Sequence, residues 1–191
     1  LLTDARYKAA SSNFDAAQTI VDGVLAKNPK NHDALLLGGA LQAVRGNQEG
    51  AVALYLKAIE AKPDFLAAYS AAISNLIQQL KLDEAGKQID ALKKIFPKHP
   101  LTLYLDAQAS YQRKDFKTAR ELTQQLLKIS PNNPNALQLA GATEYQLRAD
   151  IQADAYLNKA LQINPDLSLA RKLLVSGNLR AGQPAKALNA L

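Results

Sequence analysis

Residues 32–65 read HDALLLGGALQAVRGNQEGAVALYLKAIEAKPDF, and this stretch decides the fold. Two Ala/Leu-rich segments lie on either side of Gly46-Asn47, and Pro63 comes after the second. Gly46 is a turn former, and the Asn47 side-chain oxygen can cap a helix that starts just after it. Gly38-Gly39 falls inside the first segment, where glycine is a poor helix former, so it marks a place where a second helix comes close. The stretch therefore reads as helix, tight turn, helix, stop.

Working outward, the same unit recurs. Pro29, Pro63, Pro97, Pro131 and Pro165 are spaced 34 residues apart without an insertion. With each proline numbered position 32, the units span 1–31, 32–65, 66–99, 100–133, 134–167 and a truncated 168–191. Position 20 is alanine every time: Ala17, Ala51, Ala85, Ala119, Ala153 and Ala187. Position 8 is Ala5, Gly39, Ile73, Ala107, Gly141 and Val175, mostly small, and position 27 is apolar wherever it occurs: Val24, Ala58, Leu92, Leu126 and Ala160. Small residues at 8 and 20 are what two closely crossing helices require. Asn13, Asn47 and Asp115 stand at position 16 as caps for the second helix, and Pro184 at position 17 loses no hydrogen bond there. Helices of three to four turns are marginal alone, so stacking between neighbours must stabilise them.

Leu35, Gly38-Gly39, Gly46-Asn47, Ala51, Tyr55, Ala58 and Pro63 together resemble the tetratricopeptide (TPR) signature, and the 34-residue period is the TPR length. The resemblance covers the whole chain. It implies an all-α right-handed superhelical solenoid of about five and a half helix-turn-helix repeats. The expectation is eleven or twelve helices and no strand in residues 1–191, one array excerpted from a longer one, since no polar capping helix is visible. Leu80, Lys114 and Arg148 replace the turn glycine at position 15, so those turns are expected to be reshaped. Asp106 and Glu144, at positions 7 and 11, are carboxylates where the interior is expected.

The segments ALQLAGATEYQL, AYLNKAL and ARKLLVSGNLRAGQPAKAL resemble the TPR-repeat lipoprotein family PrsT of the bacterial PEP-CTERM/exosortase system. That family accompanies exopolysaccharide gene clusters in Gram-negative bacteria. The resemblance implies a scaffold at the periplasmic side of a membrane, held by an anchor outside this stretch. A cytoplasmic TPR adaptor, or an accessory array of a larger enzyme, is the alternative.

Composition narrows the chemistry. The net charge of +6 raises the case for an anionic partner, but Lys and Arg are interspersed with Asp and Glu and form only pairs such as Lys93-Lys94 and Arg113-Lys114. No nucleic-acid partner is expected. There is no cysteine, so neither disulfides nor thiolate metal sites form within this chain. His32 and His99 sit in inter-repeat loops two repeats apart and form no triad or metal pair with each other. No phosphate-loop pattern occurs. Asp106 and Glu144 on adjacent repeats read as an acid–base pair or, better, as structural ion-pair members, with Arg148 one turn on and Arg171 on the next first helix as partners for Glu144. The reading is therefore no enzyme, no cofactor and no metal.

The TPR resemblance also implies a concave groove lined by positions 2, 5, 9, 12 and 13 of each first helix. In the third unit these are Ala67, Ser70, Ser74, Ile77 and Gln78; in the fourth, Leu101, Tyr104, Gln108, Tyr111 and Gln112; in the fifth, Asn135, Gln138, Ala142, Tyr145 and Gln146. None is charged. Amides pair with peptide backbone or hydroxyls, and tyrosine offers a flat face with a polar tip. Tyr104, Gln108, Tyr111, Gln112, Gln138, Tyr145 and Gln146 are thus the candidate partner-binding residues. The expected partner is an extended protein or peptide segment, or a polysaccharide. TPR domains that hold acidic tails use a Lys/Asn/Arg carboxylate clamp. The matching residues from the second unit are Leu36, Ala40, Ala71, Leu101 and Leu105, and those from the third supply no cation either, so such a tail is not expected.

Overall fold

The turn that the sequence marks at Gly46-Asn47 recurs at every 34th residue in the computed structural model, which describes residues 1–189. Residues 190 and 191, the end of the truncated sixth unit, lie outside the described residues. Among the described residues the chain is all-α, with twelve helices and no strand. It forms two compact units, 1–95 and 96–191. The first holds α1 (Leu2–Ala10), α2 (Phe14–Lys27), α3 (His32–Val44), α4 (Gln48–Ala61), α5 (Leu66–Gln78) and α6 (Leu82–Ile95). The second holds α7 (Pro100–Gln112), α8 (Phe116–Ile129), α9 (Pro134–Gln146), α10 (Asp150–Ile163), α11 (Ser168–Arg180) and α12 (Pro184–Asn189). Within each unit, consecutive helices pair as hairpins, and neighbouring hairpins pack on one another. The even-numbered helices α2 to α10 each end two residues before one of the periodic prolines, which cannot continue a helix.

All six hairpin turns close in one way. The residue at position 15 has positive φ in each: Ser12, Gly46, Leu80, Lys114, Arg148 and Gly182. Its own N–H donates three residues back, as in Leu80 N to Ile77 O at 3.0 Å, and the next N–H donates five residues back, as in Lys81 N to Leu76 O at 2.9 Å. This double closure is the Schellman motif. The same pair of bonds occurs at Ser12-Asn13, Gly46-Asn47, Lys114-Asp115, Arg148-Ala149 and Gly182-Gln183. The expected reshaping at Leu80, Lys114 and Arg148 does not occur. Packing of the two helices dictates the turn, and the non-glycine residues accept the left-handed conformation at a local cost of about 1 kcal/mol.

The cores follow the repeat. All six position-20 alanines are at most 3% exposed. In the first unit, a Cβ added at Gly39 would lie 2.4 Å from Tyr55 Cε1 and 3.1 Å from the Ala51 carbonyl oxygen. In the second, a Cβ at Gly141 would lie 2.5 Å from Leu157 Cγ and 3.3 Å from the Ala153 carbonyl oxygen. Position 8 is thus the seat for the side chain at position 24 and abuts the backbone at position 20. Apolar clusters fill the spaces between hairpins, such as Leu35, Ala58 and Ala68 in the first unit and Leu103, Leu126 and Ala136 in the second.

Candidate functional face

The candidate residues lie on α7 and α9, both in the second unit. Each helix begins with proline at its first position and a side-chain cap before it. His99 Nδ1 accepts from Leu101 N at 3.2 Å, and Asn133 Oδ1 accepts from Ala136 N at 3.0 Å. Asn31 does the same for α3, accepting from Ala34 N at 2.9 Å. These first-helix caps at position 34 were not anticipated. Polar residues directly before each apolar segment are the sequence signal that marks them. The caps expected at Asn13, Asn47 and Asp115 are present, accepting from Ala16 N, Gly50 N and Thr118 N. The hydrogen bonds from Thr118 hold the Asp115 carboxyl below its usual range.

The two histidines have local occupations. His99 caps α7, while His32 packs edge-on against Phe65 at 4.9 Å and places Nε2 3.5 Å from Asp33 Oδ2. Among the described residues no group of three His, Cys, Asp or Glu side chains gathers as a metal-binding set.

Glu144 is 4% exposed and does form an ion pair, but with neither expected arginine. Its partner is Arg120 on α8, which binds both carboxylate oxygens through Nε, at 2.9 Å, and Nη2. Arg171 instead donates to the Pro165 carbonyl at 2.8 Å. Position 11 of α9 faces back toward the preceding hairpin, so the complementary charge comes from upstream, a relation that helical spacing does not display. The hydrogen bond to Glu144 raises the Arg120 guanidinium's already high pKa. Asp106 is likewise buried.

On the open side of these helices the candidate side chains are graded in exposure. Gln112 and Gln146 are exposed, while Tyr104, Gln108, Tyr111, Gln138 and Tyr145 are half-buried. Tyr104 packs on the Leu103, Leu126 and Ala136 cluster, and burial pushes its phenol pKa up. Tyr145 packs on Ala153, Leu157, Ala170 and Leu174. Tyr111 contacts Phe116 edge-on at 5.4 Å and accepts a hydrogen bond from Gln146 Nε2 at 3.3 Å, joining α7 to α9. Tyr111, Gln112, Lys114, Phe116 and Gln146 border a shallow hollow of about 320 Å³.

Two cations edge this face. Lys114 reaches it from the turn after α7. Arg180, at the end of α11, lays its guanidinium over the Tyr145 ring at 4.0 Å and pairs through Nη2 with Asp150. One face of Tyr145 is therefore covered. Sequence reasoning missed Arg180 because the groove positions were read only through the fifth unit; carried into the sixth, the same register lands on it.

This geometry accords with known proteins. A tetratricopeptide repeat model matches residues 2–64, and a Fis1 C-terminal tetratricopeptide repeat model matches residues 102–152. No curated protein sequence matches the chain at a significant level. Among solved structures, PilW, a widely conserved type IV pilus biogenesis factor, superposes with a TM-score of 0.85 at 18% identity, covering 99% of this chain and 88% of PilW. Pseudomonas aeruginosa PilF gives 0.82 at 16% identity, with 99% and 86% covered. YrrB, described as a TPR protein with an unusual peptide-binding site, gives 0.67 at 16% identity, with 95% and 90% covered. At these identities the likeness is one of fold.

Proposed function

We propose that this chain, a tetratricopeptide-repeat protein, is a non-catalytic scaffold that binds an extended, largely uncharged protein or peptide segment across α7 and α9. One observation carries the reading. The outward register of both helices carries half-buried tyrosines together with amides, of which Gln112 and Gln146 are exposed, tied by the Gln146–Tyr111 hydrogen bond and bordering an open hollow. Such groups satisfy peptide N–H and C=O groups and stack against side chains without needing charge. TPR folds generally serve as interaction scaffolds, and YrrB's peptide-binding site is a precedent for the ligand class. Individual neutral hydrogen bonds contribute about 0.5–1.5 kcal/mol, so affinity is modest per repeat and accumulates along the array.

The setting we propose is the periplasmic side of a Gram-negative membrane, in exopolysaccharide assembly or PEP-CTERM protein export. The three segments that resemble the PrsT lipoproteins support it. PilW, a pilus biogenesis factor, shows the fold in another assembly process. Among the described residues no helix is long and apolar enough to cross a bilayer, so membrane attachment would reside in an anchor beyond this stretch.

The test is binding of candidate partners, periplasmic proteins and the purified exopolysaccharide, to the chain and to Tyr111→Ala, Gln112→Ala and Gln146→Ala. These three side chains project to the open side, whereas Tyr104 and Tyr145 also pack into cores. Binding lost with an unchanged melting temperature supports the face. Binding retained by all three variants removes it. Fractionation of the full-length protein decides the compartment, and cytoplasmic recovery would favour an adaptor.

A further inference from the structure

The face does not end at α9. In the second unit α9 packs on α11. Leu169, Lys172, Ser176, Leu179 and Arg180 fall within an arc of about 100° on α11, at about 100° per residue. That arc lies opposite the buried side formed by Ala170, Leu174 and Gly177. These are the register positions that carry only neutral groups on α7 and α9. On α11 they carry two cations and two leucines, Leu169 at 50% and Leu179 at 57% exposed.

We propose that α11 reads an acidic, apolar end of the bound segment, so that the ligand lies in one direction: neutral over α7 and α9, acidic and apolar over α11. The inference rests on the α7–α9 reading for the neutral part alone. Charge complementarity selects the occupant. Lys172 is exposed, and both hydrogen bonds of Arg180 among the described residues use Nη2, to Asp150 and, at 3.5 Å, to the Tyr145 carbonyl. Nε is buried without a partner, so a ligand carboxylate would meet this guanidinium through Nη1. Of the acidic groups near this helix, Asp150 holds Arg180, Asp154 lies toward the buried side of α11 with Oδ1 3.8 Å from where a Cβ on Gly177 would stand, and Asp166 is exposed in the turn before the helix. Arg180 lies against Tyr145, the last aromatic of the neutral face, so the two halves are contiguous. An extended segment spans them easily, because about ten residues cover about 33 Å. Leu169, exposed beside Lys172, favours a ligand with apolar side chains interleaved with its carboxylates over one that is purely polyanionic.

The probes are two labelled peptides of about ten residues. Both begin with Ser, Gln and Asn. One ends in alternating Leu and Glu, and the other ends in alternating Leu and Gln. The expected result is that the Glu peptide binds about tenfold tighter, as one charge-assisted pair contributes. The preference should shrink as salt is raised and vanish in Lys172→Glu, an exposed position whose melting temperature serves as the control for folding. Arg180→Gln should reduce the preference as well, and Arg180→Lys should restore part of it. Equal affinity for the two peptides, or a preference unaffected by Lys172→Glu, overturns the inference. If that equal binding is lost in Gln112→Ala and Gln146→Ala, the neutral face survives while α11 drops out. A Lys172-dependent preference insensitive to Gln112 and Gln146 leaves α11 standing and removes the neutral face. No binding of either peptide overturns both.

Discussion

The hairpins α3–α4 and α9–α10 have the same backbone but hold it by different means. Both seat a large side chain over a position-8 glycine, Tyr55 over Gly39 and Leu157 over Gly141. Both close with the same pair of turn hydrogen bonds. The α3–α4 turn caps itself locally, while Arg45 and Gln48 beside it also bond to Asp15 of the preceding hairpin and Asn75 of the following one. Gly46 takes the left-handed conformation, Asn47 Oδ1 caps α4, and Asn47 Nδ2 donates to Gln42 at 2.9 Å. The α9–α10 turn has Arg148 in the left-handed conformation and Ala149 as an N-cap with no side-chain bond. Its position-11 residue, Glu144, is anchored by Arg120 of the preceding hairpin. The second helix of a repeat can therefore be capped by a turn side chain or go without one, and packing at positions 8, 20 and 24 makes the result the same fold.

The comparison breaks first at the shared feature. Gly39→Val and Gly141→Val should each destabilise by about 2–3 kcal/mol, because the added carbons meet a buried side chain and a carbonyl in a full core. If thermal or urea unfolding shows either as neutral, close packing at position 8 does not govern the hairpins.

The next effect belongs to α9 alone. Arg120→Ala leaves the Glu144 carboxylate buried without its ion partner and should lower stability by about 2 kcal/mol. That is less than for a fully enclosed pair, since Arg120 reaches solvent. Gln42→Ala, its counterpart, should change stability by under about 1 kcal/mol, because Asn47 Nδ2 is exposed and water replaces the lost bond. Equal losses from the two substitutions would erase the distinction between a bond local to the turn and one held by a neighbour.

Exchanging the caps tests it more finely. Asn47→Ala should destabilise and Ala149→Asn should stabilise, each by about 1 kcal/mol. Opposite signs in denaturant midpoints are the result that matters. The turn residue gives a smaller shift: Arg148→Gly should stabilise by about 0.5–1 kcal/mol, as relief of the left-handed backbone exceeds the added freedom of the unfolded chain. A loss there would mean that the arginine side chain contributes more than its conformation takes away.

The smallest effect is one of pH. Asn47 caps α4 with a group that does not titrate, whereas Asp115 caps α8 with a carboxyl whose pKa is lowered by the Thr118 hydrogen bonds. A depressed carboxyl contributes stability that is present above its unfolded pKa, near about 3.9, and is lost as pH falls through its folded value. Asp115→Asn should therefore flatten the acid limb of the melting-temperature profile slightly and leave neutral pH nearly unchanged. A steeper acid limb would contradict the assignment.

The features that the sequence by itself determined are periodic. Prolines at a fixed spacing stop each second helix, alanine at position 20 permits the crossing, and Asn13, Asn47 and Asp115 cap the second helices of their units. These are local constraints on a chain with short-range hydrogen bonds. The register of candidate residues on α7 and α9 is what the TPR resemblance implies, carried onto the same period. Tertiary structure decided the rest. It placed Arg120 on Glu144 and Arg180 on Tyr145, pairs separated by 24 and 35 residues whose geometry depends on how hairpins stack. It also forced Leu80, Lys114 and Arg148 into a conformation their side chains disfavour. Burying both helices of a hairpin releases more free energy than one strained residue takes, so the turn obeys the packing and not its own composition.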